Sequence, residues 1–141
     1  MNAHTYPVEL VFPDISVHEC SDTGVPYVHT FDSGVAGPHV MINALTHGNE
    51  VCGAIVVDAL LRAELRPKRG KLTLAFANVE AYARFDPTHP DAARFVHQDF
   101  NRVWTAQTLD DASRESSELR RARDEAHRRY RRSAARSAFD A

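Results

Sequence analysis

Residues 43–53 read NALTHGNEVCG, which places His47 and Glu50 three positions apart around Gly48. An imidazole nitrogen and a carboxylate oxygen are both good ligands for zinc. A tight turn at the start of a helix lets side chains at this spacing converge on one ion. The same pair also has a plainer reading: a loop histidine, and a glutamate that stabilises a helix N-terminus through the helix dipole. A second group lies further along, in RFVHQDFNRVW, which offers Arg94, His97, Asp99, Asn101 and Arg102. An Asn–Arg pair suits recognition of a carboxylate, because the guanidinium fork binds that group bidentately. Phe95, Phe100 and Trp104 are apolar side chains able to anchor such a loop. Taken alone, this stretch also fits a surface loop with Arg94 or Arg102 paired to Asp99.

These residues need elements to position them. PVELVF at 7–12 and VPYVHTF at 25–31 read as strands, the second with Val28 and Phe31 toward a core, flanked by the turn signals SDTG and DSGVAGP. HVMINAL at 39–45 is a nearly continuous apolar run, which fits a strand buried on both faces of a mostly parallel sheet. Asn49 or Thr46 is the expected cap of the helix that follows, VCGAIVVDALLRAEL. Its face is built from Val51, Ala54, Ile55, Leu61 and Leu65, widened by Val57 and Leu60, and it ends near Arg66-Pro67. Gly70 turns the chain into KLTLAFANV, a strand at 71–79. The order strand–helix–strand over 39–79 is that of a βαβ unit. Ligands of open α/β sheets bind beyond the carboxyl ends of the strands, where His47 and Glu50 fall, after strand 39–45. Residues 80–104, with Pro87 and Pro90, read as an ordered loop. From Ser113 the chain reads as a helix with Ser113 or Ser116 as cap and a thin stripe of Leu119, Ala122, Ala126 and Tyr130.

The 141 residues suffice for one domain, and 43% hydrophobic with 26% charged residues is ordinary for a globular chain. No apolar run reaches the roughly 20 residues that span a bilayer, and the first residues lack the form of a secretory signal. Cys20 and Cys52, in no metal-like spacing, read as reduced thiols of a cytoplasmic protein. The net charge of -2 divides into -6 over residues 1–126 and +4 over 127–141, HRRYRRSAARSAFDA. An acidic body with no alternation of basic and aromatic residues argues against nucleic acid as partner.

In this order, THGNE, a strand ending in AN, RFVHQDFNR and then SELRRAR resemble the succinylglutamate desuccinylase/aspartoacylase family, zinc amidohydrolases related to the zinc carboxypeptidases. The resemblance runs from about Val40 to Arg123. It implies an α/β fold: part of a zinc-carboxypeptidase-like mixed sheet flanked by helices, with a C-terminal Arg-rich helix. It implies a Zn2+ cofactor held by His47 and Glu50, and a small N-acyl amino acid or similar carboxylate as substrate. Arg102 matches the arginine that binds the substrate carboxylate, Asn101 its neighbour in the pocket, and Arg94 the arginine that polarises the scissile carbonyl. Asp99 and Asn78 match residues that support the ligands from behind.

The family's third ligand, a histidine at the end of a later strand, has no counterpart. After Arg102 the one histidine is His127, among arginines that disfavour a cation. The family's general base would fall past Ala141. Residues 1–126 therefore read as the N-terminal part of a catalytic domain, and 127–141 as an Arg/Ala/Ser-rich tail. Such a tail suits a chain that is truncated or leaves the family's reading frame near Asp124. A sheet cut short in this way exposes an edge open to self-association. The expected function is that of a zinc-dependent hydrolase of small N-acyl carboxylates, impaired in this chain. The alternative is a non-catalytic anion- or metal-binding remnant.

Overall fold

The computed structural model describes residues 9–116 and 118–124. Three strands form one mixed sheet in the order β1-β3-β2, with β1 at Val28–Asp32, β2 at His39–Ala44 and β3 at Lys71–Phe76. β2 and β3 run parallel, from His39 opposite Lys71 to Ala44 opposite Phe76, while β1 runs antiparallel to β3. The crossover from β2 to β3 is helix α1, Val51–Arg62. The central strand is therefore β3, fully buried beyond Lys71.

That placement corrects two expectations. β2 is an edge strand, with Val40 and Ile42 50% and 38% exposed, so neither it nor His39 is central. An apolar run reports which residues a strand carries and not its rank in the sheet, and the strand buried on both faces is KLTLAF. Residues 9–12 form no strand; Phe12 instead packs edge-on against Phe85, and residues 7 and 8 lie outside the described part.

Alternation along β3 sorts the core. Leu72, Leu74 and Phe76 face α1, where they meet Ala44, Val51, Ala54 and Val57. Ala75 faces the other way, toward Val25, Val28 and Met41. On that side Thr73 bonds Thr30 at 2.8 Å and the His39 ring at 2.7 Å, so the polar groups under the sheet are paired.

Helix α1 stops at Arg62, short of the expected Arg66. Glu64 takes a left-handed conformation (φ 52°), and the Leu65 and Glu64 N–H groups bond back to the Leu60 and Leu61 carbonyls. This is a Schellman closure with glutamate where glycine is usual. Leu65 is left exposed and the stripe ends with the helix. Neither Asn49 nor Thr46 caps α1; Glu50 occupies the cap position without a side-chain cap bond.

After β3 come the short helix α2, Val79–Tyr82, single 3-10 turns at Pro90–Ala93 and Phe100–Arg102, and helix α3, Ala106–Asp110. Residues 118–124 are helical (α4), and the Ser116 hydroxyl accepts the Leu119 N–H at 3.0 Å, as a cap does. Leu119 and Ala122 are buried with Ala77, Phe100 and Val103 in a second small core. Ala126, Tyr130, His127 and the Arg-rich helix expected at 127–141 lie outside the described residues. Among those described, no helix is long and apolar enough to cross a membrane. Cys20 and Cys52 are free and exposed.

Candidate active site

The site lies off the carboxyl ends of the two parallel strands. Main-chain bonds carry the pairing past the strand ends: Ala77 N–H to the Ala44 carbonyl and Asn78 N–H to the Leu45 carbonyl, both 2.9 Å. Leu45, fully buried, has φ 60°. A left-handed leucine costs on the order of 1–2 kcal/mol, and this kink turns the chain out of β2 toward His47. Gly48 follows at a crossing where a Cβ would strike the backbone of Ala81, Tyr82 and Ala93. Its N–H donates to the Arg94 carbonyl at 3.1 Å, which ties the THGNE turn to the second cluster.

His47 is 3% exposed and has a carboxylate on each side. Nδ1 lies 2.8 Å from Glu50 Oε1, and Nε2 lies 3.0 Å from Asp99 Oδ1. Glu50 also accepts the His47 main-chain N–H through Oε2 at 3.1 Å. Burial pushes the Glu50 carboxyl up, but the bonds from His47 outweigh it and leave it below its ordinary range. Asp99 is held low first by the bond from His47 and then by the Asn101 N–H, which donates to it at 2.9 Å. Arg94 Nη2 stands 3.6 Å from Asp99 Oδ2. The ion pair expected of a surface loop is thus present, on a carboxylate that also orients a buried imidazole.

The donor set can be tested against a metal. A neutral imidazole donates through one nitrogen only. With the proton on Nε2, toward Asp99, Nδ1 presents a lone pair to the Glu50 carboxylate. Two acceptors 2.8 Å apart repel unless a cation or a proton lies between them. Zinc ligands at about 2.0–2.1 Å in tetrahedral geometry are themselves roughly 3.3 Å apart, so the pair needs only a small opening. A carboxylate behind the second ring nitrogen is the usual support of a ligating histidine. Asp99 is on the far side of the ring and cannot share an ion with Glu50. Among the described residues no group of three or more His, Cys, Asp or Glu side chains is disposed to hold a metal. His47 and Glu50 therefore fit two positions of a zinc site.

The other expected residues divide. Asn101 and Arg102 are exposed on the turn that Asp99 caps, and the Arg102 guanidinium makes no ion pair among the described residues. Asn78 is buried beneath the strand ends, and among the described residues neither its Nδ2 nor the Asn49 Oδ1 has a hydrogen-bond partner. Phe100 is a true anchor, buried and edge-on to Trp104, whereas Phe95 and Trp104 are themselves about two-fifths exposed. Sequence reasoning missed Glu118, a buried carboxylate that holds the loop before Asp99; its signal was an acidic residue amid the apolar positions of SELRRAR. The structure also gives partners to His18, His29, His39, His89 and His97. His18 Nε2 lies 2.7 Å from Asp58 Oδ1, for example, and the His29 ring bonds the His18 carbonyl at 2.9 Å.

The fold is a mixed α/β unit, and His47 lies beyond its parallel strand ends with Glu50 on one ring nitrogen and Asp99 on the other. The family model for the succinylglutamate desuccinylase/aspartoacylase catalytic domain matches residues 36–140, and the chain belongs to that family. Comparison with curated proteins and with solved structures finds no match.

Proposed function

We propose that this chain carries the His–Glu half of a zinc site and the carboxylate-binding loop of a deacylase, which cleaves the amide or ester bond of small N-acyl amino acid-like carboxylates. The observation that carries it is His47 held between Glu50 and Asp99, with Arg102 exposed on the same loop. The β2–α1–β3 crossover and the site's place beyond the strand ends support a partial zinc-carboxypeptidase-like sheet.

In this reading His47, through Nδ1, and Glu50 hold the ion, and Asp99 fixes the ring from behind. Zinc bound there supplies Lewis-acid polarisation of the scissile carbonyl and a water with a pKa lowered to about 7. The chain's own residues do the rest. Arg102 binds the substrate carboxylate with Asn101 beside it, and Arg94 faces the oxygen that gains charge. A donor so placed is worth roughly 3–4 kcal/mol in comparable sites.

The test is zinc stoichiometry and affinity of the purified chain beside His47→Ala. Two ligands hold zinc more weakly than the three of a complete catalytic site, so the expected result is weak zinc binding that falls further in the variant. Equally weak zinc in both would overturn the metal assignment and leave an anion-binding remnant of the family.

A further inference from the structure

We propose that Glu118 is a positioning residue, whose carboxylate, reaching from α4, sets the loop that presents Asp99 to His47 and Arg102 to the substrate. Glu118 is 1% exposed. Its Oε1 accepts the N–H groups of Val96 at 2.7 Å and His97 at 3.3 Å, and Oε2 stands 3.7 Å from His97 Nδ1. Two residues on, Asp99 meets the His47 ring. Gln98 between them is held by the same segment, bonded to the Ser116 hydroxyl and, through Oε1, to Arg114 Nη2 at 3.1 Å.

A buried carboxylate is costly unless its oxygens are taken up by donors. Here two successive main-chain donors take up one of them, and bonds of this charge-assisted kind are stronger than neutral ones. The helix itself is fixed to the sheet. Arg121, one turn on from Glu118, donates to the Pro26 carbonyl at 2.6 Å and the Phe76 carbonyl at 2.8 Å. Phe76 is the last residue of β3, so α4 references the Asp99 loop to the strand end beside His47. The loop has no regular structure at Val96–Asp99, and Glu118 supplies the acceptor for its two amides.

This role rests on the proposed function, and the test separates the two. Amide hydrogen exchange is followed at Val96 and His97 and, as a reference, at Leu74 and Ala75 in β3, in wild type, Glu118→Met, Glu118→Asp and Glu118→Gln. The Met variant removes the acceptor; the Asp variant keeps the charge but shortens the reach, and serves if Met does not fold. Expected is exchange at Val96 and His97 faster by about tenfold in Met or Asp, with β3 unchanged and the Gln variant, which keeps one oxygen, near wild type. Binding of N-acetyl-L-glutamate should weaken in the same order, with Gln rescuing it. Unchanged exchange at Val96 and His97, or a rise shared equally with β3, would overturn the positioning role. Failure of wild type to bind N-acetyl-L-glutamate would overturn the substrate reading and leave the exchange result to judge Glu118.

Discussion

The His47 ring has one carboxylate supplied locally and one supplied from 52 residues away, and the two do different work. Glu50 comes with the turn and shares the open side of the ring. Asp99 comes with the loop and meets the ring at Nε2, behind it as seen from Glu50. Beside them Arg102 is exposed and in no ion pair among the described residues, and in the proposed function it receives the substrate carboxylate. Arg102→Ala should therefore weaken binding of an N-acyl amino acid by about 1.5–3 kcal/mol, the worth of a hydrogen bond to a charged group. In any active form this would raise KM and lower kcat/KM. An unchanged kcat/KM would remove the carboxylate-binding role. Asp99 is different, since it touches the ring, and its loss should first weaken zinc.

At the scale of elements, the site depends on two turns passing very close to each other. The THGNE turn crosses α2 and the start of the second loop at Gly48, and what a side chain would meet there is main chain, the Ala81–Tyr82 peptide bond and the Ala93 carbonyl. Main chain cannot rotate away as a flexible side chain does. Gly48→Ala should cost about 3 kcal/mol or more, above the usual range for overpacking, and should separate His47 from Asp99. A fall in Tm together with lost zinc affinity is expected; a variant with wild-type Tm would mean that the crossing is looser than its geometry. The N-terminal segment is fixed by comparable contacts. His18 and Arg62 share Asp58, and the Tyr82 hydroxyl donates to the Pro13 carbonyl at 2.8 Å. Burial, with Asp58 and Asp14 nearby, pushes the Tyr82 hydroxyl up to about 12.

Across the whole molecule, acid sensitivity follows from its carboxylates. Asp58 is raised by burial but lowered further by its bonds from Arg62 and His18, so that it ends below 3.8. Asp99 is also held below 3.8, and Glu50 below 4.5. Each binds its proton more weakly folded than unfolded. Their stabilisation is therefore present above those ordinary values and is lost as pH falls through the lower folded-state values. The urea midpoint should drop between about pH 5 and pH 3, and Asp58→Asn should lower the midpoint near pH 7 while flattening that drop. An equal drop in the variant would show that Asp58 contributes nothing to it.

Much of this was open to local reasoning. The strand–helix–strand order, the His47–Glu50 spacing, the cap at Ser116 and the family likeness all reside in short stretches, where residue type and period act directly on backbone and side chain. The ends of elements were less legible. Helix α1 closed at Glu64 by adopting a left-handed turn that no glycine signalled, and Asn49 lost the cap position to Glu50. Sheet rank was not legible at all, because β2 and β3 carry similar apolar runs and only hydrogen-bonded pairing decides which lies in the middle. The same holds for the site. The pair on one turn was determined by sequence, but Asp99 behind His47, Gly48 against Arg94 and Glu118 beneath Val96 join residues distant in the chain. Their contacts exist because the sheet, α4 and the two loops pack together, and tertiary structure alone sets those distances.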